Sequence, residues 1–214
     1  MRLILGLEED EIRKSNFMMA LKSARLHTGR NVDTGVANSM AEMEWNSRER
    51  NETKENQSYN SELFTGLTIY SILLEQIGSI FERTDILKEE KNNGIINALN
   101  MFSSLSKKEK EAINGLRNNL AHNFGLASDS RFPNRGRKFI LSFSKDAPIV
   151  KLPIRSWNCN YEDKCEDSST IIGVYAFCNE IENIIKELMN TYKSGNLKFK
   201  LPDEEIKSRF TIIV

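Results

Sequence analysis

Apolar residues recur at alternating steps of four and three through SELFTGLTIYSILLEQIGSIFER, residues 61–83. Leu63, Leu67, Tyr70, Leu74, Ile77 and Phe81 therefore share one face of a helix. Phe64, Ile72, Leu73 and Ile80 widen that stripe, and a helix apolar on most sides belongs at the centre of a bundle. A fainter pattern over residues 8–27, with Phe17, Leu21 and Ala24 beside Ile12, Met18 and Met19, predicts a first helix that stops at Thr28-Gly29. A short helix is predicted over 93–103. The next begins at Ser106, where Ser106 and Glu109 have the spacing of a capping box. Its core stripe is Ile113, Leu116, Leu120 and Phe124, with Gly125 as the C-cap. A last long helix is predicted over 168–193, where Ile171, Val174, Cys178, Ile181, Ile185, Leu188 and Tyr192 step by three and four.

The remaining segments lack helical periodicity. KFILSFS and PIVKLPI flank KDA and predict a β-hairpin at about residues 138–154. Residues 28–60 are polar and read as loop or weakly ordered linker, with room for a short helix around VANSMAEMEW. FTIIV near the end suits a short extended segment. The expected architecture is mainly α: a helical bundle with a small β-hairpin insertion. Residues 1–60 form an N-terminal helix plus a polar segment, and 61–214 form the helical domain.

Charge narrows the function classes. Thirty basic and thirty acidic residues give a formal net charge of zero, so wholesale coating of nucleic acid is not expected and any such contact must be local. Three cysteines, Cys159, Cys165 and Cys178, do not make a disulfide framework and fit a reducing compartment. The opening MRLILGLEEDE meets acid before its apolar run reaches signal-peptide length, and no uninterrupted apolar stretch approaches membrane-span length. The expectation is a cytoplasmic protein without a membrane partner.

Chemistry concentrates in GLRNNLAHNFGL, residues 115–126, which holds one of the two histidines. On an ideal helix His122 lies about 140° around from Arg117, so the pair flanks a strip of Asn114, Asn118 and Ala121 that the core stripe leaves free. A histidine moves protons near neutral pH, and an arginine holds a phosphate. The same two residues also suit a plain helix end, where cations complement the dipole.

The arginine, the polar residue directly after it and the histidine five positions on resemble the signature of the HEPN superfamily, R-x4–6-H, here Arg117, Asn118 and His122. The resemblance covers residues 61–126 best, with 168–193 as a further bundle helix. It implies a HEPN-like dimerising bundle in which the motifs of two protomers face each other and cut RNA without metal. Arg117, His122 and Asn118 are the implied catalytic residues, with no cofactor. A homodimer, an RNA substrate, a toxin or anti-phage defence setting, and an antitoxin or regulatory protein are the implied associations. Some family members carry a tyrosine two residues after the histidine that accepts an inactivating nucleotide. Phe124 stands there and has no hydroxyl. Two rival readings use the same residues: a non-catalytic HEPN-like module that binds nucleotide, RNA or protein, and a helical interaction protein unrelated to the family.

RFPNRGRK places Arg131, Arg135, Arg137 and Lys138 within eight residues, as a local RNA-backbone contact or as a solvated turn. The cysteine spacing is too wide for a zinc site, and no metal is expected. Cys178 is expected in the core. Asn114 and Asn119 are lesser candidates beside the motif.

Overall fold

The computed structural model describes residues 2, 4–7, 13–38, 55–86, 93–123, 125–128, 136–163 and 165–213. In chain order these form β1 (Arg13–Ser15), α1 (Asn16–His27), α2 (Glu55–Ile80), β2 (Phe81–Arg83), α3 (Gly94–Phe102), α4 (Lys107–Asn118), and a π-helical turn (Asn119–Asn123). There follow β3 (Ala127–Ser128), β4 (Arg137–Ser142), β5 (Val150–Lys151), a 3-10 turn (Glu166–Ser168), β6 (Thr170–Gly173), α5 (Val174–Lys193), β7 (Leu197–Phe199), α6 (Asp203–Phe210) and β8 (Thr211–Ile213). The chain is mostly helical with small sheets.

The centre is α2, as its apolar stripe predicts. Leu63, Leu67, Tyr70, Leu74 and Ile77 are buried, and α1 and α3 pack along it. Burying each such large apolar side chain favours the fold by about 1.5–3 kcal/mol. The stretch Glu62–Ile80 is long and apolar enough to cross a membrane by length and composition, although polar residues interrupt it; 56% of it is buried inside the bundle. The backbones of α2 and α3 touch. A Cβ at Gly78 would overlap the Gly94 carbonyl, and one at Gly94 would overlap the Glu75 carbonyl, so only glycine fits at either position. This crossing fixes the start of α3 beside Glu75.

Several expectations shift. The central helix starts earlier than predicted, at Glu55, so residues 55–60 of the polar segment are helical. It ends at Ile80, because Phe81–Arg83 leave the helix to pair antiparallel with β7. Residues 28–38 are a closed turn in which Arg30 bridges Ala37. The short helix suggested around VANSMAEMEW falls mostly on residues outside those described. In the first helix, residues 13–15 are a strand paired with β8, which contains most of the FTIIV segment expected to be extended. Ser15 then caps α1 by accepting from the Met18 N–H, and the helix stops at Thr28 with Gly29 at φ +67°, as predicted.

The predicted β-hairpin does not form. β4 and β5 lie in one sheet of order β3-β4-β6-β5, but β6 stands between them, parallel to β4 and antiparallel to β5. The last long helix correspondingly begins at Val174 and not at residue 168. The β-branched run Thr170-Ile171-Ile172 suits a strand better than a helix start. Gly173 ends that strand where its N–H donates to Pro148 O (3.1 Å), in a space with no room for a Cβ.

Candidate functional site

The motif helix α4 is set from its start by the predicted capping box. Ser106 Oγ accepts from the Glu109 N–H (3.4 Å), and the Glu109 carboxylate accepts from the Ser106 N–H (2.8 Å). These bonds hold the Glu109 carboxyl below its ordinary pKa. Ala112, Ile113, Leu116 and Leu120 are buried and anchor the helix on the core. Phe124, the last predicted member of the stripe, lies outside the described residues.

The α-helix does not run on to Gly125. It ends at Asn118, and a π turn takes Asn119–Asn123, followed by a bond from the Gly125 N–H back to Asn119 O (3.3 Å). A π turn bonds i to i+5 and holds more than four residues per turn, so residues five apart come closer to one line than on an α-helix. Arg117 and His122 are five apart. The ideal-helix separation of about 140° is thereby reduced, and Arg117 Nη1 lies 3.0 Å from His122 Nε2. An arginine can only donate, so this contact requires His122 Nε2 to accept, with the ring proton on Nδ1. The same Nη1 donates to Asn118 Oδ1 (3.1 Å). The three motif residues are thus one hydrogen-bonded group, with His122 and Asn118 exposed and the Arg117 side chain only 18% exposed.

A fourth member comes from α2. Arg117 Nη2 is paired with the Glu75 carboxylate, itself 29% exposed. The sequence did carry a signal for it: Glu75 is the only charged residue between Leu63 and Ile80, and a lone carboxylate on an apolar helix calls for a cation. Arg117 Nε is buried without a partner among the described residues.

Asn114 and Asn119 have other tasks. Asn93 caps α3 through Oδ1, which accepts from the Ile96 N–H (3.0 Å), and its Nδ2 donates to Asn114 Oδ1 (3.0 Å), tying α3 to α4. Asn119 is 3% exposed; its Oδ1 accepts from Ser128 Oγ (2.6 Å), while its Nδ2 has no partner. It fastens the π turn to β3.

Of the predicted basic residues, Arg131 and Arg135 lie outside those described. Lys138 is committed to the fold, since its Nζ donates to the carbonyls of Asp163 and Cys165 (3.2 Å to the latter). Arg137 lies along α4 where Gly115 has no side chain: a Cβ there would stand 2.6 Å from Arg137 Cδ. Among the described residues its guanidinium has no ion-pair partner.

A second charged cluster gave no recognised sequence signal. Arg25 donates from Nε and Nη2 to the Glu182 carboxylate (2.9 and 2.8 Å), and from Nη1 to Val32 O and Asp33 O (3.0 and 2.8 Å). Tyr70 Oη donates to Glu182 Oε1 (2.6 Å). Burial, then the Glu182 charge, push the Tyr70 hydroxyl pKa far up, so it stays protonated. Arg30 donates to Gly35 O (2.9 Å) and Asn179 Oδ1 (2.8 Å). This knot lines a cleft of about 850 Å³ between α1 and α5. Nearby Cys178 is buried as predicted, its thiol pushed up to about 12 by burial, which removes it as a nucleophile near neutral pH. Among the described residues no three His, Cys, Asp or Glu side chains gather as a metal centre would require.

Comparison with protein-family models, with curated proteins and with solved structures finds no match.

Proposed function

We propose that this chain is a metal-independent endoribonuclease of HEPN type, acting as a homodimer in which Arg117, His122 and Asn118 of two protomers share one site. The observation that carries the reading is the 3.0 Å contact between Arg117 Nη1 and His122 Nε2, made by a local departure from α-helical geometry. π turns interrupt helices at some cost and concentrate at functional sites. This one brings a proton-transfer group and a phosphate-binding group together on an exposed surface.

The reaction uses only those groups. RNA enters with a phosphate oxygen replacing His122 Nε2 and Asn118 Oδ1 as acceptors for Arg117. The freed Nε2 takes the proton from a ribose 2′-hydroxyl. The 2′-oxygen attacks the adjacent phosphorus, the bond to the 5′-oxygen breaks, and the leaving oxygen takes a proton from the partner protomer's His122, whose Nε2, likewise released by its arginine, has first taken that proton from solvent. The products are a 2′,3′-cyclic phosphate and a 5′-hydroxyl. Arg117 stabilises the charge that grows on the phosphorane oxygens. Glu75 is a positioning residue that fixes the guanidinium plane. A cytoplasmic toxin or anti-phage defence setting, with an antitoxin or regulatory protein, completes the proposal.

One observation favours a second reading. Both terminal nitrogens of Arg117 are already engaged, by His122, Asn118 and Glu75. A non-catalytic module that binds nucleotide, RNA or protein would use the strip in this closed arrangement.

The test incubates the protein with total RNA in EDTA, beside His122→Ala and Arg117→Ala. The catalytic reading expects cyclic phosphate ends from the wild type and a loss of about 10²–10⁴-fold in each variant. Intact RNA with a folded, dimeric wild type moves the assignment to the binding module.

A further inference from the structure

Beside the motif, on the outer face of α4, lies a hollow of about 330 Å³, within the usual range for ligand sites (roughly 300–1,000 Å³). Lys108 and Glu111 of α4 form one wall. Arg137 reaches in from β4, Trp157 closes the back, and Ser156 and Thr170 add hydroxyls. Trp157 is 4% exposed and its Nε1 donates to Asn160 O (3.0 Å), so it is a fixed wall and not a mobile stacking platform.

Charge and position argue for an anionic occupant. Lys108 and Arg137 have no ion-pair partner among the described residues, and Lys138, though tied to carbonyls, keeps its positive charge. Three cations face one carboxylate, Glu111. The hollow also shares α4 with the motif. Lys108, Glu111, Gly115 and Asn118 fall within about 80° of arc on α4. Arg137 crosses the helix over Gly115, about 4.5 Å along the axis from Asn118. The missing side chain at Gly115 is what lets the guanidinium stem lie flat there.

We infer that this hollow is a subsite for single-stranded RNA, taking a sugar–phosphate unit farther along the strand from the phosphate held at Arg117, since Lys108 lies about 13.5 Å along α4 from Arg117 and on its other side. Lys108 and Arg137 hold the flanking phosphate as point charges, and the hydroxyls accept or donate to the ribose. The inference rests on the RNA reading of the motif but not on cleavage.

The test measures binding of fully 2′-O-methylated oligonucleotides, which cannot be cut, at two lengths: a dinucleotide and a hexanucleotide. Wild type should bind the hexamer more tightly. Lys108→Gln/Arg137→Gln should lose about tenfold of hexamer affinity and leave dinucleotide binding unchanged. Its salt slope should fall by roughly 0.7, the worth of the one flanking phosphate on a single strand. Gly115→Ala, whose methyl would displace Arg137 without removing charge, should reproduce part of the loss. Lys193→Gln, which removes a cation from the α1–α5 cleft, should change nothing. Equal losses in Lys193→Gln would reduce the effect to net charge and overturn the subsite. So would a double variant that is folded and binds the hexamer like wild type, or a wild type that binds neither oligonucleotide. If the length effect is present and depends on Lys108 and Arg137 while unmodified RNA stays intact, the subsite stands and the nuclease reading falls.

Discussion

Two arginine-centred clusters sit in this protein and differ in what they leave unfinished. Around Arg25, the bidentate pair with Glu182, two carbonyl acceptors and the Tyr70 hydroxyl are all in place, and the ion pair is buried, with side chains 7% and 13% exposed. Around Arg117, the guanidinium is shared between Glu75, Asn118 and His122, its Nε is buried without a partner among the described residues, and two of the members face solvent. A closed buried network holds elements together, whereas an open one keeps groups at the surface that a ligand can take over. The Arg25 cluster joins α1, α2, α5 and the 28–38 turn. The Arg117 cluster joins α2, α4 and the π turn that follows it, and presents its chemistry outward.

Removing one partner from each cluster gives the widest contrast. Glu182→Ala leaves Arg25 buried and unpaired, and should lower unfolding free energy by about 3–5 kcal/mol in a denaturant titration. Arg117→Ala, in a pair whose side chains are 18% and 29% exposed, should cost less, about 1–2 kcal/mol. Similar costs for the two would erase the distinction between a structural and an open cluster. The functional counterpart is Glu75→Gln. Its stability should barely move, yet turnover on RNA should fall on the order of tenfold as the guanidinium loses its fixed plane. Affinity for uncleavable RNA should rise severalfold, because a carboxylate no longer competes with phosphate for Arg117. Glu75→Asp should recover part of the turnover. Unchanged turnover and affinity in Glu75→Gln would remove Glu75 from the site.

The smallest effect concerns the loop that carries Trp157 and walls the hollow. Asp163 accepts from the Cys165 N–H (2.9 Å), from Ser168 Oγ (3.0 Å) and from Arg155 Nη2 (2.8 Å). These bonds, led by the Cys165 N–H, outweigh desolvation and hold its carboxyl at about 2. A carboxyl depressed in the folded state contributes stability that is complete above its unfolded value near 3.9 and is lost as pH falls through about 2. Trp157 fluorescence, read in a Trp45→Phe background, should therefore be flat from neutral pH to about 4 and change only below it. A transition centred at the ordinary aspartate value would show that the loop is not held by Asp163.

Parts of this were legible in the sequence for a specific reason. The capping box at Ser106 and Glu109, the stripe of α2 and the stop at Thr28-Gly29 are local: their partners lie within a turn of each other, so spacing alone specifies them. The β-hairpin failed because pairing is not local. KFILSFS and PIVKLPI read equally well as partners of each other or of Thr170–Gly173, and the helical periodicity of 174–193 masked the four-residue strand ahead of it. Burial of Arg25 and Glu182 was illegible for the same reason, since 157 positions separate them.

Residue chemistry by itself determined that Arg117, Asn118 and His122 lie on one amphipathic helix end, that its other face is core, and that zero net charge leaves room only for local anion contacts. Whether arginine and histidine meet was a tertiary decision. On a regular α-helix they point about 140° apart. The Asn119–Asn123 π turn is fastened by the Asn119–Ser128 hydrogen bond to β3, and Arg117 is held by a carboxylate from another helix. A departure from the favoured helical geometry persists only where surrounding contacts over-determine it, and those contacts come from other elements, β3 nine residues on and α2 42 residues before.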